Sequence, residues 1–151
     1  MYVASNTSTP TDTLFMLSKN KAAFVRGSVA GNKSTPKELL LALFKDKDES
    51  VRRELAFNIH CPEELFLSLA KDENETVRWF LARNHNTPIE CLEILAKDKS
   101  LNIRGYVAMH PSSSVAILTA LSKDKAEQVR DYVATNPATP SSVLFELAGV
   151  K

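Results

Sequence analysis

Residues 72–97 read DENETVRWFLARNHNTPIECLEILAK, and residues 98–123 read DKSLNIRGYVAMHPSSSVAILTALSK. Laid one over the other, the two stretches keep Asp, Arg, Ala, Leu and Lys at the same places, 26 residues apart. The match extends outward in both directions. Arginine stands at 26, 52, 78, 104 and 130, alanine at 4, 30, 56, 82, 108 and 134, and leucine at 17, 43, 69, 95, 121 and 147. Proline occupies 10, 36, 62, 88 and 140, with Ser114 as the exception, and asparagine occupies 6, 32, 58, 84 and 136, with His110 as the exception. No insertion breaks the register. A fixed period of this length marks a repeat architecture rather than a globule with one closed core.

Each unit reads as two short helices. Thr35-Pro36-Lys37-Glu38 opens the first, with Thr as cap, Pro at the first helical position and Glu two residues beyond it. Leu39, Leu40, Leu43 and Phe44 then form an apolar helical stripe. Asp46-Lys47-Asp48-Glu49 and Asp72-Glu73-Asn74-Glu75 cap the second helix, which carries Val51, Leu55 and Ala56 on one face. It is expected to stop near Asn58, a residue type that tolerates the left-handed conformation of helix C-termini. No segment alternates as a half-buried strand does, so the predicted class is all-α. Helices of about ten residues are marginal alone, so each pair must cover its neighbour's stripe, with the alanine column allowing close approach. The prediction is an α-solenoid: one domain over 1–151, with four full repeats (26–129) between partial ones (1–25 and 130–151).

The stretch VRDYVATNPATP, residues 129–140, resembles the signature of the leucine-rich repeat variant family, and the Asp72…Val77-Arg78 half of the unit is similar to HEAT repeats. That resemblance implies a right-handed superhelix in which α-helices alternate with shorter, partly 3₁₀ helices. It implies shape more than biochemistry. A described member of the family carries an iron–sulfur domain, but this chain lacks the necessary cysteine cluster, so no cofactor is expected.

Composition narrows the function further. The chain has 151 residues, 19 Lys+Arg against 18 Asp+Glu, and 44% hydrophobic residues. A formal charge of +1 argues against binding through bulk charge. There is no apolar run long enough to span a bilayer and no basic-then-apolar leader at Met1, so neither membrane nor export is expected. Cys61 and Cys91 make no disulfide framework and fit a reducing, cytoplasmic setting. Cys61 takes the place of Thr or Ser at a helix start, so its thiol is expected to be acidified by the helix dipole. His60, Cys61, His85 and Cys91 fall in four different columns of two adjacent units. Metal ligands must converge to about 2.0–2.3 Å, so no metal site is expected. Nor is there a nucleophile–base motif or a Gly-rich phosphate loop, and the chain is read as not an enzyme.

Two sets of columns bear on function. Arg52, Arg78, Arg104 and Arg130, with Asp46, Asp72, Asp98 and Asp124, are expected to form a structural ladder, each Asp capping its own helix and each Arg reaching a neighbouring Asp or loop carbonyl. Nine of the lysines (19, 21, 45, 47, 71, 97, 99, 123 and 125) line the turns, where Asp46, Asp48, Glu49, Asp72, Glu73 and Glu75 neutralise much of their charge. Positions 27, 53, 79, 105 and 131 instead hold Gly, Arg, Trp, Gly and Asp, while 31, 57, 83, 109 and 135 hold Gly, Phe, Arg, Met and Thr. Columns this variable are expected to face solvent. Residues four apart share a helix face, so Arg53, Phe57, Trp79, Arg83 and Met109 should form one exposed patch, with Phe80, Tyr106 and Tyr132 alongside. Trp and Arg are enriched in binding hot spots. The expected function is a scaffold contacting an unknown protein partner through its concave face. The alternative is a nucleic-acid-binding HEAT-like solenoid.

Overall fold

The computed structural model describes residues 2–149, and among them there are helices and turns but no strands. The helices are α1 (Tyr2–Ser5), α2 (Thr11–Leu17), α3 (Ala23–Ala30), α4 (Lys37–Leu43), α5 (Glu49–Phe57), α6 (Phe66–Leu69), α7 (Glu75–Ala82), α8 (Ile89–Leu95), α9 (Leu101–Met109), α10 (Val115–Leu121), α11 (Glu127–Thr135) and α12 (Ser141–Leu147). Even-numbered helices begin the units and odd-numbered helices complete them. A 3₁₀ turn, Glu63–Leu65, takes up the start of the third first-helix and leaves α6 short. The chain is an α-solenoid.

Apolar periodicity explains the stacking. Leu40, Leu69, Leu92, Leu95 and Leu118 of the even helices and Val51, Leu55, Val77, Leu81 and Ile103 of the odd ones are buried completely or nearly so. Each such side chain contributes on the order of 1.5–3 kcal/mol through burial. Ala30, Ala56, Ala82 and Ala108 are buried where successive odd helices meet, and a larger residue there would hold the helices apart. Odd helices pack on one another along the stack, whereas even helices contact chiefly the odd helices beside them. The odd side is therefore the shorter, inner arc.

The caps differ in detail from the sequence reading. Asp48 and Asn74 accept from the backbone amides of Ser50 and Thr76 at 3.0 and 2.8 Å and so cap α5 and α7. The threonines before proline do not cap the first helix at all. Thr35, Thr87, Ser113 and Thr139 donate their hydroxyls backward, at 2.5–2.7 Å, to the carbonyls of Val29, Leu81, Val107 and Val133 at the end of the preceding odd helix. Ser114, standing where other units have proline, caps α10 by accepting from the amide of Ile117 at 3.2 Å.

Asparagine marks the helix stop as expected, since α5 ends at Phe57, but not in the left-handed conformation. Asn58 has φ −68° and ψ 125°, an extended conformation, and no described non-glycine residue has positive φ. Its role is to tie units together. Nδ2 of Asn32, Asn58, Asn84 and Asn136 donates at 2.7–2.8 Å to the carbonyls of Ala4, Ala30, Ala56 and Ala108 in the preceding unit. The same nitrogens donate at 2.9–3.2 Å to the carbonyl of residue 6, 32, 58 or 110. These alanine carbonyls sit at helix C-termini, where they have no partner within their own helix.

Candidate functional site

The turns between paired helices carry an ionic ladder. Arg26, Arg52, Arg78 and Arg104 each donate through Nε and Nη2 to the aspartate 20 residues later, with Nε distances of 2.5–2.7 Å to Asp46, Asp72, Asp98 and Asp124. Nη1 of Arg52, Arg78 and Arg104 turns back at 2.7–2.9 Å to the carbonyl of the aspartate six residues earlier. Each guanidinium therefore closes its own turn and clamps the next unit. The aspartates in turn accept from the amide two residues on, as Asp46 does from Asp48 at 3.0 Å. Among the described residues Arg130 makes only the backward bond, to the carbonyl of Asp124 at 2.7 Å. The guanidinium beside each holds the Asp46 and Asp124 carboxyls below the usual carboxylate value. This two-pronged geometry suits arginine's planar fork and no other side chain.

The nine turn lysines are exposed. Of the six turn acids expected to offset them, Asp46 and Asp72 are engaged by arginines, which leaves Asp48, Glu49, Glu73 and Glu75 beside the lysines.

On the inner arc the residues of the expected patch do come together, but differently from the reading of two solvent-facing columns. Gly27 and Gly105 are buried, and Arg53, Trp79 and Arg83 are half-buried. Phe57 and Met109 are exposed, at 43% and 41%. The first column tolerates glycine because a large side chain of the next unit lies across it. Glu54 covers Gly27, and a Cβ built on Gly105 would come within 2.9 Å of the Tyr132 ring. Where that column holds Trp79, the covering residue is Tyr106, with ring centroids 5.2 Å apart and edge-on. Trp79 also meets Phe80 edge-on at 5.0 Å, and Phe57 meets Phe80 at 5.6 Å.

Arg83 lies at the centre of this group. Its guanidinium carbon is 4.4 Å from the Trp79 centroid and 5.5–5.8 Å from those of Phe57, Phe80 and Tyr106. No carboxylate or other hydrogen-bond acceptor among the described residues meets its N–H groups, whereas Arg53, 5.7 Å from the Phe80 ring, is paired with Glu54 at 3.3 Å. Phe57, Arg83, Tyr106 and Met109 border a pocket of about 300 Å³ with Ala82, His85, His110 and Pro111. A second hollow of about 350 Å³, lined by Trp79, Asn102, Tyr106, Met109 and Tyr132, adjoins it. His110 and the pocket escaped the sequence reading. The break in the asparagine column was its one available sign.

The cysteine expectation is reversed. Cys61 is buried, and burial pushes its thiol up to about 12, with the Glu64 charge adding to the effect. The helix it precedes begins as a 3₁₀ turn and offers no strong dipole. Cys91 is buried in α8, and burial raises its thiol as well. His60 donates from Nδ1 to the carbonyl of Lys33 at 2.7 Å, and no group of three His, Cys, Asp or Glu among the described residues is placed to hold a metal. No described helix is long and apolar enough to cross a membrane.

No family model matches the chain, and no curated protein matches it in sequence. Among solved structures it is similar to one described as a leucine-rich repeat variant with a novel repetitive protein structural motif, at a TM-score of 0.73 and 28% identity. The match covers 91% of this chain and 55% of the other, so the chain spans about half the length of that protein. The solenoid is that of the leucine-rich repeat variants.

Proposed function

We propose that this leucine-rich-repeat-variant solenoid is a non-catalytic scaffold that docks a protein partner on its inner arc, through Arg53, Phe57, Trp79, Arg83 and Met109. One observation carries the reading: Arg83, free of any acidic partner among the described residues, stands among four aromatic rings beside exposed Phe57 and Met109. Structural arginines in this chain are engaged by carboxylates and carbonyls. Arg83 is held by ring faces, which leave the edges of its guanidinium available. Aromatic and arginine side chains on stacked helices are ordered before binding, so little side-chain entropy is lost when a partner arrives.

The test is an affinity capture with the full chain, comparing wild type with Arg83→Ala by quantitative mass spectrometry. Proteins retained by the wild type should be depleted about tenfold or more by the substitution, with the helical circular-dichroism spectrum unchanged. Equal retention by both proteins would remove the patch from consideration.

A second reading, nucleic-acid binding, has one observation in its favour. The lysine edge is exposed, and the ladder aspartates are spoken for by arginines. Fluorescence anisotropy with a DNA duplex decides it: binding that weakens steeply with salt supports the edge as a phosphate-backbone site, and no binding at low salt eliminates it.

A further inference from the structure

Of the two arginines on the inner arc, one is neutralised and the other is not. Arg53 pairs with Glu54 at 3.3 Å. The N–H donors of Arg83 meet no acceptor among the described residues, and the rings of Phe57, Trp79, Phe80 and Tyr106 surround its guanidinium without supplying one. Those donors are within reach of a ligand. Arg83 is half-buried, and no unpartnered side-chain nitrogen of a buried or half-buried residue among those described is sealed from solvent. A guanidinium flanked by rings is held in place before anything binds, so a planar acceptor meeting its fork loses little to ordering.

The pocket of about 300 Å³ that Arg83 borders carries the same imbalance. Phe57, Tyr106 and Met109 line it together with exposed His85, and no aspartate or glutamate among the described residues does. His110, also in the lining, is buried, and burial pushes its imidazole down toward the neutral form, so the fixed charge of the pocket is that of Arg83. A purely apolar occupant would cover this guanidinium and leave it unpaired, which is unfavourable. A purely acidic one would leave Phe57 and Met109 in water, at 43% and 41% exposure. A nucleic-acid backbone carries a charge at every nucleotide and needs a row of cations. The arc offers no such row, because Arg53 is paired and the exposed Asp131 sets a like charge farther along the same column. We infer that the inner arc recognises, in a peptide segment of its partner, an acidic residue flanked by a large apolar one. The carboxylate accepts from the N–H groups of Arg83, and the apolar side chain fills the pocket against Phe57, Tyr106 and Met109. A volume at the small end of ligand pockets suits one such side chain. This inference rests on the reading that the inner arc docks a protein, and it names the residues recognised.

The experiment selects a random dodecapeptide library, displayed on phage, against the full chain and then measures anisotropy of the fluorescein-labelled peptides it yields. Enriched peptides should share an aspartate or glutamate beside leucine, methionine, phenylalanine or tryptophan. Replacing that acid by its amide should weaken binding about tenfold or more, and Arg83→Gln should weaken it as much. Lys97→Gln, which removes an equal charge from the turns, should leave binding unchanged. The change in the peptide needs no variant of the chain, so it decides the matter even if Arg83→Gln misfolds. No enrichment, enriched peptides without a shared acid, or an amide that binds as well as the acid overturns the inference. So does binding of a DNA duplex that Arg83→Gln abolishes, which would give the face to nucleic acid. If the peptides share no acid while Arg83→Ala still depletes captured proteins, the acidic motif falls and the docking face stands. If Arg83→Ala depletes nothing, the docking face falls first.

Discussion

Two rows of side chains run the length of the same stack and obey opposite rules. Along the turns, an arginine clamps the aspartate 20 residues ahead four times over, with Nε distances of 2.5–2.7 Å. Along the inner arc no contact recurs. Glycine meets glutamate at Gly27, Arg53 meets a ring at Phe80, Trp79 meets Tyr106, and glycine meets a ring again at Gly105. The stack needs the first row in every unit, because each module must hold the next. It places no such demand on the second row, so that row is free to differ from unit to unit. Repetition marks what holds the solenoid together, and departure from it marks what the solenoid presents.

The sharpest way to break this contrast is at the ladder. In Arg78→Ala, Asp98 loses contacts at 2.6 and 3.3 Å while its side chain is only 7% exposed, and the carbonyls of Asp72 and Glu73 lose a donor. Removing one partner of such a pair costs about 3 kcal/mol or more, because a poorly solvated charge is left behind. Arg130→Ala removes a single hydrogen bond to a carbonyl, worth about 1 kcal/mol. Chemical denaturation of both variants tests the difference. Equal costs would mean that the forward clamp to the next aspartate contributes nothing.

The seam between odd helices comes next. Ala82→Leu inserts a branched side chain where 1% of the alanine is exposed, and overpacking of this kind costs about 1–3 kcal/mol. Met109→Ala, on an exposed side chain, should change stability by less than about 0.5 kcal/mol. Unaltered stability in Ala82→Leu would show odd helices spaced more widely than the buried alanines imply.

Acid loosens the ladder without mutation. The folded-state pKa values of Asp46 and Asp124 lie below their ordinary 3.8, held down first by the side-chain bonds to Arg26 and Arg104. Because the folded values are the depressed ones, this stabilisation is present above the unfolded value and is lost as pH falls through the folded values. Melting temperature should therefore be insensitive to these groups between pH 5 and 7 and should drop below about pH 4. Asp124→Asn should flatten part of that drop. An acid limb unchanged by the substitution would place the titration elsewhere.

The period, the helical class and the ladder columns were legible because a repeat states its own register: a residue type that returns every 26 positions has the same job each time. What the register does not state is which copies touch. Asn58 looked like a local helix stop, yet its amide reaches 28 residues back to Ala30. The column of Gly27, Arg53, Trp79 and Gly105 looked solvent-facing because it varies, yet each member packs against the residue 27 positions later. A ring covers the glycine at 105, and a ring packs edge-on beside the tryptophan at 79. Variation in one column read alone is indistinguishable from exposure, and only the contact with the next unit shows that the column is packed. Cys61 misled for a related reason. Its column suggested a helix cap, but the hydroxyls of that column point back to the preceding helix, and the thiol is buried among apolar neighbours.

A small effect is expected at Arg83, five residues from Arg78. The two arginines belong to the same unit, and residue type alone does not separate them. Arg78 is enclosed by Asp98 and two carbonyls, so its loss strands a charge. Arg83 touches rings whose own edge-to-face contacts, Trp79 with Phe80 and Phe80 with Phe57, survive without it. A cation over aromatic rings at a partly exposed site is worth about 0.5–1 kcal/mol. Arg83→Ala should therefore lower the melting temperature by no more than about 2–4 °C, as a chain of this size loses that much per kcal/mol. The same substitution should abolish docking. Were its stability cost to equal that of Arg78→Ala, Arg83 would belong to the framework, and the distinction between repeated clamp and displayed surface would dissolve at the residue chosen to embody it.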